Sequence, residues 1–126
     1  MPGAGIQMMT RLRVADNSGA RVVGVIRVMR VRRRTGTVGD EVVCSIKEAD
    51  PGAKKVKKGE VHRAVVVRGK VEDARRDGST MRCSDWAAAL LGPNGQPIGT
   101  RIRGVVSSNL DRSKYMKIMS LCRVII

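Results

Sequence analysis

Between Glu41 and Lys47 the chain alternates with period two: Val42, Cys44 and Ile46 fall on one side, Glu41, Ser45 and Lys47 on the other. That spacing belongs to an extended strand with one dry and one wet face. The pattern is not isolated. Twenty-six residues are Val or Ile, whose branched Cβ suits a pleated, half-buried surface better than a helix interior. Residues 7–15 read as a first strand that ends in Asp16-Asn17-Ser18-Gly19, where Gly supplies φ > 0 and Asp and Asn cap nearby backbone. Residues 21–31 carry apolar side chains on both parities, which predicts a bulge near Gly24. Val61, Val65, Val67 and Val71 keep odd parity. A strand is therefore expected there with a buried face and, opposite it, a face showing His62, Arg68 and Lys70.

Asp77-Gly78 between two strand-like runs is a strong hairpin signal, and Arg75 and Arg76 make its tip basic. The hairpin should project. Its return strand, residues 80–91, changes parity between Cys83 and Trp86, which predicts a second bulge near Ser84-Asp85, with Cys83 a core thiol and Trp86 an aromatic wedge. Helical spacing occurs only in the tail, where Tyr115, Ile118, Met119 and Cys122 recur at i, i+3, i+4, i+7 behind a possible Ser108 or Ser113 N-cap. The expected fold is mainly β: a small five-stranded antiparallel barrel, whose closure removes exposed strand edges, with a projecting β-hairpin and one or two short C-terminal helices. A chain of 126 residues suits a single domain. Its barrel is expected over about 6–105 and its helical region over about 106–126.

Charge narrows the function. Lys and Arg total 25 against 11 acids, a net +14 at pH 7, and a field of that size calls for a polyanionic partner. Seventeen of the cations are Arg, the side chain whose planar fork grips phosphate bidentately. Three clusters carry the signal: Arg30, Arg32, Arg33 and Arg34; Lys54, Lys55, Lys57 and Lys58; and Arg68, Lys70, Arg75 and Arg76. Like charges packed that closely repel unless an anion sits among them. Trp86 and Tyr115 are the only aromatic residues, so stacking platforms for single-stranded bases are scarce and recognition should work through backbone and shape.

Catalysis and metal binding find little support. The chain has one His and neither a G-x-S-x-G nor an H-E-x-x-H motif. Gly52 to Gly59 superficially resembles a phosphate loop, but Glu60 stands where Lys-Ser/Thr would be needed. Cys44, Cys83 and Cys122 are too widely spaced for a zinc tetrad with His62. Reduced structural thiols, no metal, no cofactor and no enzymatic activity are expected. No apolar run approaches the roughly 20 residues a membrane span requires, so a soluble, intracellular chain is expected. The first 39 residues hold eight Arg and one acid, a composition like that of an organellar transit segment. Their strand alternation argues against a cleavable presequence. A DNA-compacting architectural protein and a subunit of an RNA-processing enzyme are the alternatives from other classes.

Val14-Ala15-Asp16-Asn17-Ser18-Gly19-Ala20-Arg21, Val38-Gly39-Asp40, Ile46-Lys47-Glu48-Ala49, Val56-Lys57-Lys58-Gly59, Ala64-Val65-Val66-Val67-Arg68, Pro97-Ile98-Gly99-Thr100-Arg101-Ile102 and Met116-Lys117-Ile118 closely resemble the universal large-subunit ribosomal protein number fourteen, in that family's order and from about Ile6 to Leu121. The resemblance implies a five-stranded barrel on large-subunit rRNA at the face that meets the small subunit. It implies rRNA contacts that include Asn17, Ser18 and Arg21 beside the cationic clusters. It also implies a bridge to small-subunit rRNA, contacts with neighbouring large-subunit proteins, and docking of a ribosome-silencing factor. Bridge and silencing factor would share Thr100, Arg101, Lys117 and Ser120. The family carries an aromatic residue where Cys83 stands and Asn or Thr where Trp86 stands, and its bacterial form has fewer Arg over 30–34. With the transit-like composition, these departures favour the mitochondrial matrix over the bacterial cytoplasm as the ribosome's location.

Overall fold

The computed structural model describes residues 6–29, 36, 38–70, 73–74, 77–78, 80–81, 83, 85–108, 110 and 112–125. In chain order the elements are β1 (Arg11–Val14), β2 (Ala20–Val28), β3 (Glu41–Ala49), β4 (Val61–Arg68), β5 (Asp73–Ala74), β6 (Thr80–Met81), β7 (Ala87–Leu91), β8 (Ile102–Val106), α1 (Arg112–Leu121) and β9 (Cys122–Ile125). Strands β1-β2-β3-β4-β7 close a five-stranded barrel. Four of its pairings are antiparallel, and the barrel shuts through one parallel pair, β1 with β7.

The alternation along β3 works as expected: Val42, Cys44 and Ile46 are buried in the barrel interior with Leu12, Val23, Val66 and Leu90. Burial pushes the Cys44 thiol up to about 12, so it stays neutral and donates a hydrogen bond to the His62 carbonyl at 3.3 Å. The register of β2 on β3 shifts on both sides of Gly24, between Val22 and Val23 and between Val25 and Arg27. Ile26 is the extra residue of the second shift, and such a bulge re-aims a side chain out of the alternating pattern.

Along β4 the one-sided burial fails. Ala64, Val65, Val66 and Val67 are all fully buried, because a second apolar layer covers the outside of this strand. Ala64 and Val66 face the barrel interior. Val65 and Val67 pack with Ala87, Ala89 and Leu91 of β7 against Ile102, Val106, Leu110, Tyr115, Ile118 and Met119. The cover comes from the C-terminal segment, where β8 pairs in parallel with β9 rather than with the barrel sheet. Helix α1 buries Tyr115, Ile118 and Met119, as their spacing predicts, and is kinked at Tyr115 (φ −118°, ψ 25°). Tyr115 donates its hydroxyl to Glu41 at 2.7 Å, and Lys114 lies 3.3 Å from the same carboxylate. Neither proposed serine sits at the cap: the helix begins at Arg112, so Ser113 is its second residue, and Cys122 starts β9 instead of closing the helical face.

The hairpin expected around Asp77-Gly78 forms between β5 and β6, with Gly78 at φ +90°. The return segment is broken: β6 and β7 belong to different sheets, and Asp85 and Trp86 lie between them. Trp86 is half-buried against the interior cluster and lies so close over Gly69 that a Cβ there would come within 2.3 Å of its ring. No helix among the described residues is long and apolar enough to cross a membrane.

Candidate nucleic-acid interface

The Asp16-Asn17-Ser18-Gly19 turn organises the surface that matters most. Asp16 is buried, and its carboxylate accepts hydrogen bonds from the Ser18 amide (3.2 Å), the Ser18 hydroxyl (2.7 Å) and, on the neighbouring strand β7, the Leu90 amide (3.0 Å). A buried carboxylate survives only with such partners. Ser18, which the family resemblance puts against rRNA, is itself buried at 3 % exposure, its hydroxyl directed to Asp16. Asn17 is exposed but engaged. Its Oδ1 accepts from the Thr100 amide (2.7 Å) and the Arg101 amide (3.1 Å), and its Nδ2 donates to the Thr100 hydroxyl (2.9 Å). The pairing is tight because residue 99 is Gly: a Cβ there would sit 2.8 Å from Asn17 Oδ1 and from Asp16 Cβ.

Beside this turn opens a groove of about 620 Å³ lined by Arg13, Arg21 and Arg103, with Asn17, Gly19, Glu48 and Asp50 on its walls. Arg13, Arg21 and Arg103 are all exposed. Arg21 pairs through Nε with Asp50, while Arg103 is fixed by its amide, which donates to the Ala15 carbonyl at 2.7 Å. Three arginines on one groove offer planar donors of the kind that grip a phosphodiester backbone, beside the Glu48 and Asp50 carboxylates of the same groove. Sequence reasoning singled out Arg21 but missed Arg13 and Arg103. Arg13 was within reach, since Arg11 and Arg13 flank the buried Leu12 and must point outward.

The lysine loop lies next to it. Val56 is buried at 1 % exposure between exposed Lys54, Lys55, Lys57 and Lys58, so one apolar anchor holds four cations at the surface. The loop is tied back by the Asp50 amide donating to the Gly19 carbonyl at 2.8 Å and by Lys55 Nζ donating to the Ile98 carbonyl at 3.4 Å. Gly19, at φ +107°, would drive a Cβ to 2.5 Å from Ala53 Cβ, so the turn and the loop need glycine to meet.

Arg68 departs from its expected place on a bare cationic face. A register shift between Val66 and Arg68 turns it toward the C-terminal layer. Its guanidinium donates to both Asp85 oxygens (3.0 and 3.2 Å) and to the Arg103 carbonyl (2.9 Å), and its side chain is 15 % exposed. The Arg68 hydrogen bond is the main reason the Asp85 carboxyl is held below its ordinary range, partial burial acting the other way. His62, expected to be exposed, is half-buried with Nε2 3.7 Å from Glu60. Lys70 is exposed. Arg30, Arg32, Arg33, Arg34, Arg75 and Arg76 lie outside the described residues.

The residues of the second expected surface lie on two segments that strand register relates. Ile102 pairs in parallel with Cys122, so the Thr100-Arg101 loop and the last turn of α1 lead into that pair from the same end. On the helix Lys117 and Ser120 are exposed one turn apart, the Ser120 hydroxyl donating to the Lys117 carbonyl at 2.7 Å. Asn17 thus touches both surfaces, lining the arginine groove and holding the Thr100-Arg101 loop.

A comparison with protein families decides the identity of this arrangement: residues 5–126 match the family model described as Ribosomal protein L14p/L23e. The chain belongs to this family. Its place is the ribosome, as a structural constituent of the large subunit, and the barrel with its C-terminal cover is the framework on which that role is carried.

Proposed function

We propose that the chain binds large-subunit rRNA through one continuous cationic face formed by the Arg13–Arg21–Arg103 groove, the Lys54, Lys55, Lys57 and Lys58 loop, and Lys70. The observation that carries this is the convergence of three arginines from separate segments on a single groove beside four exposed lysines. Asn17 acts by positioning, and Arg68 and Ser18 act by building the scaffold, since their donors are directed inward. Arg30, Arg32, Arg33, Arg34, Arg75 and Arg76 are further rRNA-binding cations in this reading, on their charge alone. Contacts of this kind release counterions, so if about eight cations meet phosphates the affinity falls with salt at a log–log slope of roughly −6 to −7.

In the same reading, Thr100, Arg101, Lys117 and Ser120 form the surface that meets small-subunit rRNA across a bridge and that a ribosome-silencing factor covers. Neighbouring large-subunit proteins complete the surroundings. The arginine-rich N-terminal composition favours a mitochondrial ribosome. Two variants separate the surfaces. Changing Lys54, Lys55, Lys57 and Lys58 to Glu should lower co-sedimentation with large subunits while the purified protein stays folded. Arg101→Ala with Lys117→Ala should leave incorporation intact and weaken association with small subunits, most at low magnesium. Normal incorporation of the first variant would return the lysine loop to solvent. Loss of the second from the large subunit, with retained particles joining normally, would remove the bridge assignment.

A further inference from the structure

Away from the groove and from the C-terminal cover, the outside of β1–β3 carries a feature that phosphate binding does not use. Two backbone irregularities meet there. The shift between Val25 and Arg27 leaves Ile26 unpaired and 43 % exposed. Opposite it Met9 adopts φ +73°, a left-handed conformation uncommon outside Gly, Asn and Asp. It is held by its own amide donating to the Val25 carbonyl (2.8 Å) and by the Val25 amide donating to the Thr10 carbonyl (2.8 Å). The result is a groove of about 310 Å³ with Met8, Met9 and Ile26 on its walls and Gly24 among its lining residues. Met8 and Met9 are 67 % and 84 % exposed.

A cluster of thioethers and a bulged isoleucine gives phosphate nothing to bind, and an apolar patch held open by the backbone marks a protein-docking surface. The rim supplies the sign of the partner. Arg11 and Lys47 line the groove, and Arg27 follows Ile26 on the same strand; all three are exposed, and no acid lines the groove among the described residues. The Lys47 stem lies over Gly24, where a Cβ would come within 2.9 Å of Lys47 Cε, so any side chain at residue 24 would displace the rim cation. We propose that this groove docks a segment of a neighbouring protein in the large subunit that presents a large aliphatic side chain flanked by Asp or Glu. The aliphatic group would fill the Met8–Met9–Ile26 walls while the acids meet Arg11, Arg27 and Lys47.

The test places a photo-crosslinking phenylalanine analogue at residue 9 in purified, assembled large subunits and maps the adduct by mass spectrometry. The expected adduct is a protein segment with an aliphatic residue among acids, and its yield should fall about tenfold when Met8→Ser and Ile26→Ser are added. Co-sedimentation is scored in parallel, so loss of rRNA binding is read separately from loss of docking. An adduct to rRNA, an adduct to a basic or wholly polar segment, no adduct, or a yield unchanged by the two serine substitutions would each overturn the proposal.

Discussion

One barrel presents two outer faces that meet opposite fates. Outside β4 and β7, Val65, Val67, Ala87, Ala89 and Leu91 are sealed under the chain's own C-terminal segment. Outside β1–β3, Arg13 and Arg21 stand in solvent on the arginine groove, and Arg11, Arg27 and Lys47 stand in solvent beside Met8, Met9 and Ile26. The difference shows how a small β-barrel can be both stable and adhesive. Half of its exterior is completed internally by hydrophobic burial. The other half leaves its cations exposed, and the Asp16-Asn17 turn joins the two.

The largest effect should come from opening the covered half. Ile118 is 1 % exposed in that layer, and Ile118→Ala should cost about 2–5 kcal/mol of unfolding stability by urea titration, with the salt slope of RNA binding by the folded protein unchanged. Asp16→Ala, at the joint, removes an acceptor serving the Ser18 and Leu90 amides. It should cost about 1–3 kcal/mol and loosen the Thr100-Arg101 loop, seen as faster amide exchange at those two residues.

A smaller effect is expected at the covered edge. Because Arg68 depresses the Asp85 carboxyl, the pair stabilises the fold above the unfolded carboxyl's range and loses that contribution as pH falls through the folded value. The stability gap between the natural protein and Asp85→Asn should therefore be present at neutral pH and close in acid; a gap independent of pH would remove Arg68–Asp85 from the account. The smallest change concerns Cys44, a neutral buried thiol. Under native conditions it should resist alkylation on the timescale on which the unfolded chain is labelled.

The strand pattern was legible where one face is dry and the other wet, as along β3. It misled along β4, because parity reports which side chains share a face and is silent on which remote segment covers that face. The cover for Val65 and Val67 comes from residues 102–119, whose apolar spacing was visible but whose destination was not. Arg68 followed from the same limit. Its charge suggested phosphate, yet a bulge and a carboxylate at Asp85 directed it inward. Asn17 was legible as a turn residue, while its hold on Thr100 and Arg101 is a contact across more than eighty positions that no local pattern encodes. The groove arginines divide in the same way. Arg13 could be placed outward from its alternation with Leu12, whereas Arg103 joins it only because β8 runs back past Ala15.

The central claim, that the Arg13–Arg21–Arg103 groove on the open side of the barrel binds rRNA, is tested most directly by the salt dependence of binding. Large-subunit RNA is titrated with the natural protein and with a variant carrying Arg13→Gln, Arg21→Gln and Arg103→Gln, between about 50 and 200 mM salt, where phosphate contacts dominate the slope. The account predicts unchanged unfolding stability and a log–log slope shallower by about 2–3, close to one per phosphate contact removed. A variant that binds with the natural slope would contradict it and move the rRNA-binding surface elsewhere on the molecule.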